Sequence, residues 1–219
     1  PAVAVTNAFN TVLYTGDGVS SRSITGVGFV PDMIWIKARS DAYSHNLQDS
    51  VRGGGTSTTL NPNLNLAAGT YGIYGFVNTF DSNGFTVGTG SSNNVHVNNN
   101  NTTYVSWNWK AGGTAVSNTD GTITSQVSAN VDAGFSIVSY TSQSSGTATV
   151  GHGLSSPPDM VIVKTTGVAD SWRTYHSSLG AGFQIFLNTT AAAGATVNQW
   201  NNTSPTNSVF SLGTDNAGS

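Results

Sequence analysis

The chain has no cysteine and no glutamate; all ten of its acidic residues are aspartate. Without cysteine there are no disulfides, no thiolate zinc sites and no thiol nucleophile. Without glutamate, the loop FDSNGF (80–85) lacks the distal bidentate ligand that a calcium-binding EF-hand loop needs, so it reads as a turn. Charge of either sign is scarce: 8% of residues, against about a quarter in ordinary globular chains. Seven Lys and Arg and a net charge of −3 leave nothing from which to build a phosphate-binding face, which argues against nucleic acid as a partner. No apolar run approaches the roughly 18 residues of a membrane span. No charged segment followed by an apolar core opens the sequence, so no secretory signal is expected. Helical periodicity is nearly absent, and LNLAAG (64–69) is the one stretch with room for a helical turn.

Small polar residues fill the gap. Ser, Thr, Asn and Gly number 28, 29, 23 and 26 of 219. Disorder driven by charge is not the reading, because aromatic residues reach 10% and sit in strand-like runs. FNTVLY (9–14) and FSIVSY (135–140) are rich in β-branched and aromatic residues. NTFDSNGFTVG (78–88) places a turn between two apolar runs, a hairpin signal. In TYVSWNWK (103–110) Val105, Trp107 and Trp109 share one face, and Tyr104, Ser106 and Asn108 the other.

The chain also repeats itself. FNTVLY lies over FSIVSY at an offset of 126. GVGFVPDMIWIK (26–37) lies over GHGLSSPPDMVIVK (151–164), with two residues inserted before the proline. SHNLQDSVRGGGTSTTLN (44–61) lies over SWRTYHSSLGAGFQIFLN (171–188) at 127, and GFTVG (84–88) over VFSLG (209–213) at 125. Four blocks in order at nearly constant offset mark a tandem duplication. The Gly/Ser/Asn-rich KAGGTAVSNTDG (110–121) divides repeat one, residues 1–112, from repeat two, residues 113–219. The expected fold is all-β: two jelly-roll-like β-sandwich units, the second lacking its last strand because nothing after Gly213 matches TYVSWNWK. Either the strand follows beyond Ser219, or a neighbouring chain supplies it, since an edge without its last strand invites such pairing. DMIWIK and DMVIVK are apolar on both faces, as suits a central strand buried on both sides.

The candidates for chemistry have plain alternatives. Asp32 and Asp159 recur behind Pro31 and Pro158; as a close pair they could serve acid–base hydrolysis, but recurrence in separate units favours a residue that opens a strand. Lys37 and Lys164 read as strand-end lysines that keep an edge soluble. His45, His96, His152 and His176 fall in no HxH or HExxH spacing, and no G-x-S-x-G elbow or P-loop is present. No catalytic residue, metal ligand or cofactor site is therefore assigned. Trp35, Trp107 and Trp109 alternate into apolar faces and read as core. Trp172 and Trp200, set among polar residues, are candidates for an exposed ligand surface. His96 joins them, in the loop SSNNVHVNNNN (91–101), which is expected to be an exposed tip.

Together YTGDG (14–18), SITGVGFVPDMIWIK (23–37), SVRGGG (50–55), FDSNGFTVG (80–88), YVSWNWKAGGTAVSNTDGTITSQVSAN (104–130), GFSIVSYT (134–141) and WNNTSPTNSVFSLG (200–213) resemble a tandem-repeat β-domain of virion structural and tail-fibre proteins of tailed phages, many of them marine. The resemblance spans nearly the whole chain and departs where the second repeat lacks its closing strand. It implies a non-enzymatic virion component on the particle exterior, in a tail fibre, appendage or head decoration, assembled in the host cytoplasm. Other virion proteins and copies of the chain itself would be its partners, with a contribution to host adhesion. A carbohydrate-binding receptor module is the alternative, and a glycan depolymerase a more remote one. Few charges also leave few interactions for seawater salt to screen.

Overall fold

A computed structural model describes residues 7–143 and 146–214. It is all-β, with antiparallel ladders throughout. The first repeat holds β1 (Phe9–Thr15), β2 (Ser21–Thr25), β3 (Met33–Ala38), β4 (Asn46–Asp49), β5 (Phe76–Asp81), β6 (Gly84–Gly88) and β7 (Thr103–Trp109). One sheet runs β1-β7-β3-β4 and the other β2-β6-β5. First pairs with last, and second with last but one, which is the wrap of a jelly roll. Ile34, Ile36, Ala38 and Tyr104 of one sheet pack against Ile24, Val77, Phe85 and Val87 of the other, and Val27, Phe29 and Val97 close the core. The β5–β6 hairpin turns where NTFDSNGFTVG predicts it, with Asp81 opposite Gly84.

The second repeat holds β8 (Val116–Asn118), β9 (Ser125–Asn130), β10 (Phe135–Tyr140), β11 (Ala148–Gly151), β12 (Met160–Val163), β13 (Arg173–His176), β14 (Phe183–Phe186), β15 (Gly194–Ala195) and β16 (Val209–Leu212). Its sheets are β10-β9-β8, β11-β16 and β12-β13-β14-β15. Val150, Val163, Tyr175, Trp200, Phe210 and Leu212 form its core. The duplication is visible in register. The ladder Met33↔Asp49 through Ile36↔Asn46 returns as Met160↔His176 through Val163↔Arg173, each residue displaced by the same distance as Met33 to Met160. Ile24↔Phe85 returns as Val150↔Phe210.

Three expectations are corrected, and one repeat match diverges in structure. Among the described residues DMVIVK is an edge strand, not a second central one. β3 lies between β7 and β4, whereas β12 has β13 on one side and, among the described residues, no strand on the other. On β7 the fully buried face is the polar one, Tyr104, Ser106 and Asn108, while Trp107 and Trp109 are half-buried on the outer face of the sheet. Tyr104 Oη donates to the Val95 carbonyl at 2.8 Å and Asn108 Nδ2 to that of Asn10 at 3.0 Å. LNLAAG is not helical; the short helical turns are 3-10 segments at Thr56–Thr58 and Gly72–Tyr74. TSTTLN, matched to the strand-forming FQIFLN, makes one of those turns and a single bridge, Leu60 to Leu47.

Candidate functional site at the repeat junction and an open strand edge

The two Pro-Asp phrases build the same device. Asp32 opens β3, its backbone N–H donating to the Trp109 carbonyl at 2.7 Å. Ser50 Oγ donates to its carboxylate at 2.8 Å, and the Ser50 N–H to its carbonyl at 2.7 Å. Around Asp159, Ser177 does the same at 2.7 and 2.8 Å. The copies then diverge. Asp32 is 3% exposed, and its other carboxylate oxygen accepts from the N–H groups of Ala111 at 2.8 Å and Gly113 at 3.3 Å. It thus ties the strand opening to the linker between repeats, whereas Asp159 is exposed and, among the described residues, holds its serine alone.

The lysines are also used alike. Lys37 Nζ donates to the carbonyls of Ala38 and Asp41 at 2.5 and 3.0 Å, and Lys164 Nζ to those of Thr165 and Val168 at 2.5 and 3.3 Å. Each lysine stitches the loop that follows its strand, so solubility of an edge is not its main task. Partial burial holds both ammonium groups below the usual lysine range.

The linker meets the second repeat closely. The Gly112 N–H donates to Ser128 Oγ at 2.9 Å, and a Cβ on Gly112 would lie 2.5 Å from the Ala129 carbonyl oxygen. Gly113 takes φ +77°, the left-handed region that suits glycine. Trp109 stacks on Phe135 at 6.2 Å. A cleft of about 440 Å³, wide open to solvent, lies beside this linker, with Asp32, Lys110, Asn130 and Asp132 in its lining. Both Asp32 oxygens are already occupied, so the cleft offers no free buried carboxylate.

The expected ligand surface at Trp172 and Trp200 is corrected by burial. Trp172, 4% exposed, is part of the junction: it packs with Leu47, Leu60, Met33, Trp35 and Ala68 of the first repeat. Its Nε1 donates to the Leu64 carbonyl at 2.9 Å, and the Ala68 N–H reaches the Thr166 carbonyl at 2.8 Å. Trp200, 2% exposed, lies in the core of the second repeat against Tyr175 at 5.9 Å. The 91–101 loop is not an exposed tip either. Val97 enters the first core, and Asn98 Nδ2 donates to Asp17 at 2.8 Å. His96 is 4% exposed, wedged against Tyr71 and Tyr74 at 5.6 and 5.2 Å. Burial, with a smaller push from the Lys37 charge, lowers its pKa to about 4, so it is neutral at pH 7. Among the described residues no three His or Asp side chains converge as a metal site would require.

No solved structure and no curated protein matches the chain. The family described as Domain of unknown function (DUF7483) matches residues 4–219. The chain belongs to that family. β10 and β12 are the counterparts of β1 and β3, the strands that flank β7. Between β10 and β12 there is no strand among the described residues. The sequence carried no sign that Trp172, set among polar residues, would be covered by the other repeat.

Proposed function

We propose that this DUF7483 chain is a non-enzymatic structural protein of a phage virion, exposed on the particle surface in a tail fibre, appendage or head decoration. The observation that carries this reading is how the duplicated ionic side chains are used. Asp32, Asp159, Lys37 and Lys164 recur in both repeats and are bonded to serines, linker N–H groups and loop carbonyls. Residues kept for architecture in both copies suit a scaffold that presents a surface. The cysteine-free, charge-poor composition and the resemblance to tail-fibre and virion repeats support the same reading. Other virion proteins are the expected partners, on the exterior of a particle assembled in the host cytoplasm. The carbohydrate-binding alternative loses its aromatic platform with Trp172 and Trp200 buried. Proteomics of gradient-purified particles from a host carrying the gene tests the proposal. The chain should co-purify at many copies per particle and be labelled by antibody on intact particles; its absence from them rejects the reading.

A further inference from the structure

The segment between β6 and β7 folds back over the first core as a strap, and His96 is its one ionisable side chain. Anchors flank it on both sides. Tyr14 Oη donates to the Val97 carbonyl at 2.7 Å and Tyr104 Oη to that of Val95 at 2.8 Å. Asn98 Nδ2 donates to Asp17 at 2.8 Å, and Arg22 Nη1 to Asn98 Oδ1 at 3.1 Å. His96 itself is 4% exposed, its backbone N–H donates to the Tyr74 carbonyl at 3.1 Å, and its Nδ1 is buried without a hydrogen-bond partner. A neutral imidazole can leave Nδ1 bare, but an imidazolium carries an N–H on both nitrogens. Charging His96 therefore places a buried donor at Nδ1 with nothing to receive it. The groups that face the ring do not compensate. Tyr71 and Tyr74 are phenols, and the charge that acts on it is the Lys37 ammonium, of like sign.

We propose that His96 makes this strap an acid-released latch: protonation of its ring drives residues 90–101 off the first core while the strands of that repeat stay paired. The strap gives way first because it carries no ladder. The N–H groups of His96, Val97 and Asn98 bond the loop carbonyls of Tyr74 and Asn94, whereas β3 and β7 are laddered from Met33↔Trp109 to Ala38↔Tyr104. The sign follows from the burial. The closed strap holds the ring at a pKa of about 4, and release returns it to the ordinary value of 6.5. The open form takes up the proton first, so opening grows as pH falls from 6.5 towards 4 and then levels off. The ceiling is the ratio of the two proton affinities, about 300-fold. Release uncovers Val97 and frees the Tyr14 and Tyr104 hydroxyls, loosening the first core on that side. The inference rests on the fold and stands or falls separately from the virion assignment.

Amide hydrogen exchange of the full chain at pH 7.5 and 3.5, with rates corrected for the intrinsic effect of pH, tests the latch. Protection of the His96, Val97 and Asn98 amides should fall at least a hundredfold between the two. At pH 3.5 it should lie at least tenfold below that of the β3 and β7 amides, which marks local opening rather than unfolding. In His96→Phe, which keeps a ring but takes no proton, the fall should shrink to less than tenfold. An undiminished fall in His96→Phe, one protection factor shared by strap and ladder at pH 3.5, or no fall in the unmodified chain overturns the inference. If His96→Phe fails to fold, histidine side-chain NMR of the unmodified chain decides. Strap exchange should level off where the His96 ring titrates, near pH 4. A ring that titrates near 6.5 while the strap stays closed overturns the latch.

Discussion

Asp32 and Asp159 occupy the same place in two copies of one motif, so truncating each in turn separates motif from context. In Asp32→Ala, the Ser50 hydroxyl and the N–H groups of Ala111 and Gly113 lose their acceptor at a site only 3% exposed. Each buried donor left unpaired costs about 1–3 kcal/mol, and the Gly113 bond, at 3.3 Å, is the weakest of the three. The expected loss is about 4 kcal/mol, a large part of a typical domain's stability. In Asp159→Ala one serine bond is lost at an exposed position, and water re-solvates the hydroxyl. The expected loss there is below about 1 kcal/mol. Urea titrations followed by tryptophan emission measure both, with the midpoint shift read at constant slope. Trp109 and Trp172, both at the junction, report its opening. Should the two variants differ by less than about 1 kcal/mol, the assignment of Asp32 as the tie between repeats is wrong.

Three further outcomes are expected. His96 is a base whose folded pKa lies below its unfolded value, so the unfolded chain binds its proton first, and stability falls as pH drops from about 6.5 towards 4. His96→Phe, which keeps a ring against Tyr71 and Tyr74, should remove about 3 kcal/mol of the acid loss seen in urea titrations at pH 7.5 and 4; an unchanged loss refutes this. Trp172→Ala should cost about 3–5 kcal/mol and raise hydrogen exchange at Ala68, whose N–H bonds Thr166 across the junction; Trp200→Ala should cost a similar amount without that local effect. Gly112→Ala, which brings a Cβ against the Ala129 carbonyl, should weaken the junction and lower the melting temperature by several degrees in calorimetry, whereas Gly167→Ala, with nothing near its Cβ, should leave it within about a degree.

Much of the architecture was legible because it depends on local pattern and on comparing the chain with itself. The alternation in FNTVLY, the turn in NTFDSNGFTVG and the offset between the two Pro-Asp phrases are one-dimensional signals, and strands, a hairpin and a shared register follow from them. Burial was read less well. Trp172 and Trp200 look exposed by their neighbours in sequence, yet in the fold their neighbours are Leu47 and Leu60, and Tyr175. Asn98 and His96 look like loop-tip residues, but their segment folds back over a sandwich core and satisfies its polar groups there.

Sequence by itself determined that the chain is all-β and duplicated, and that no disulfide holds it. These follow from residue types and order, which need no partner to be read. Only the tertiary structure decided that Asp32 binds the linker while Asp159 faces water, and that PDMIWIK is a central strand while PDMVIVK, among the described residues, has a neighbour on one side alone. The two phrases have nearly the same local preference. Their difference lies in what stands beside them: β7 and β4 beside one, and β13 beside the other among the described residues.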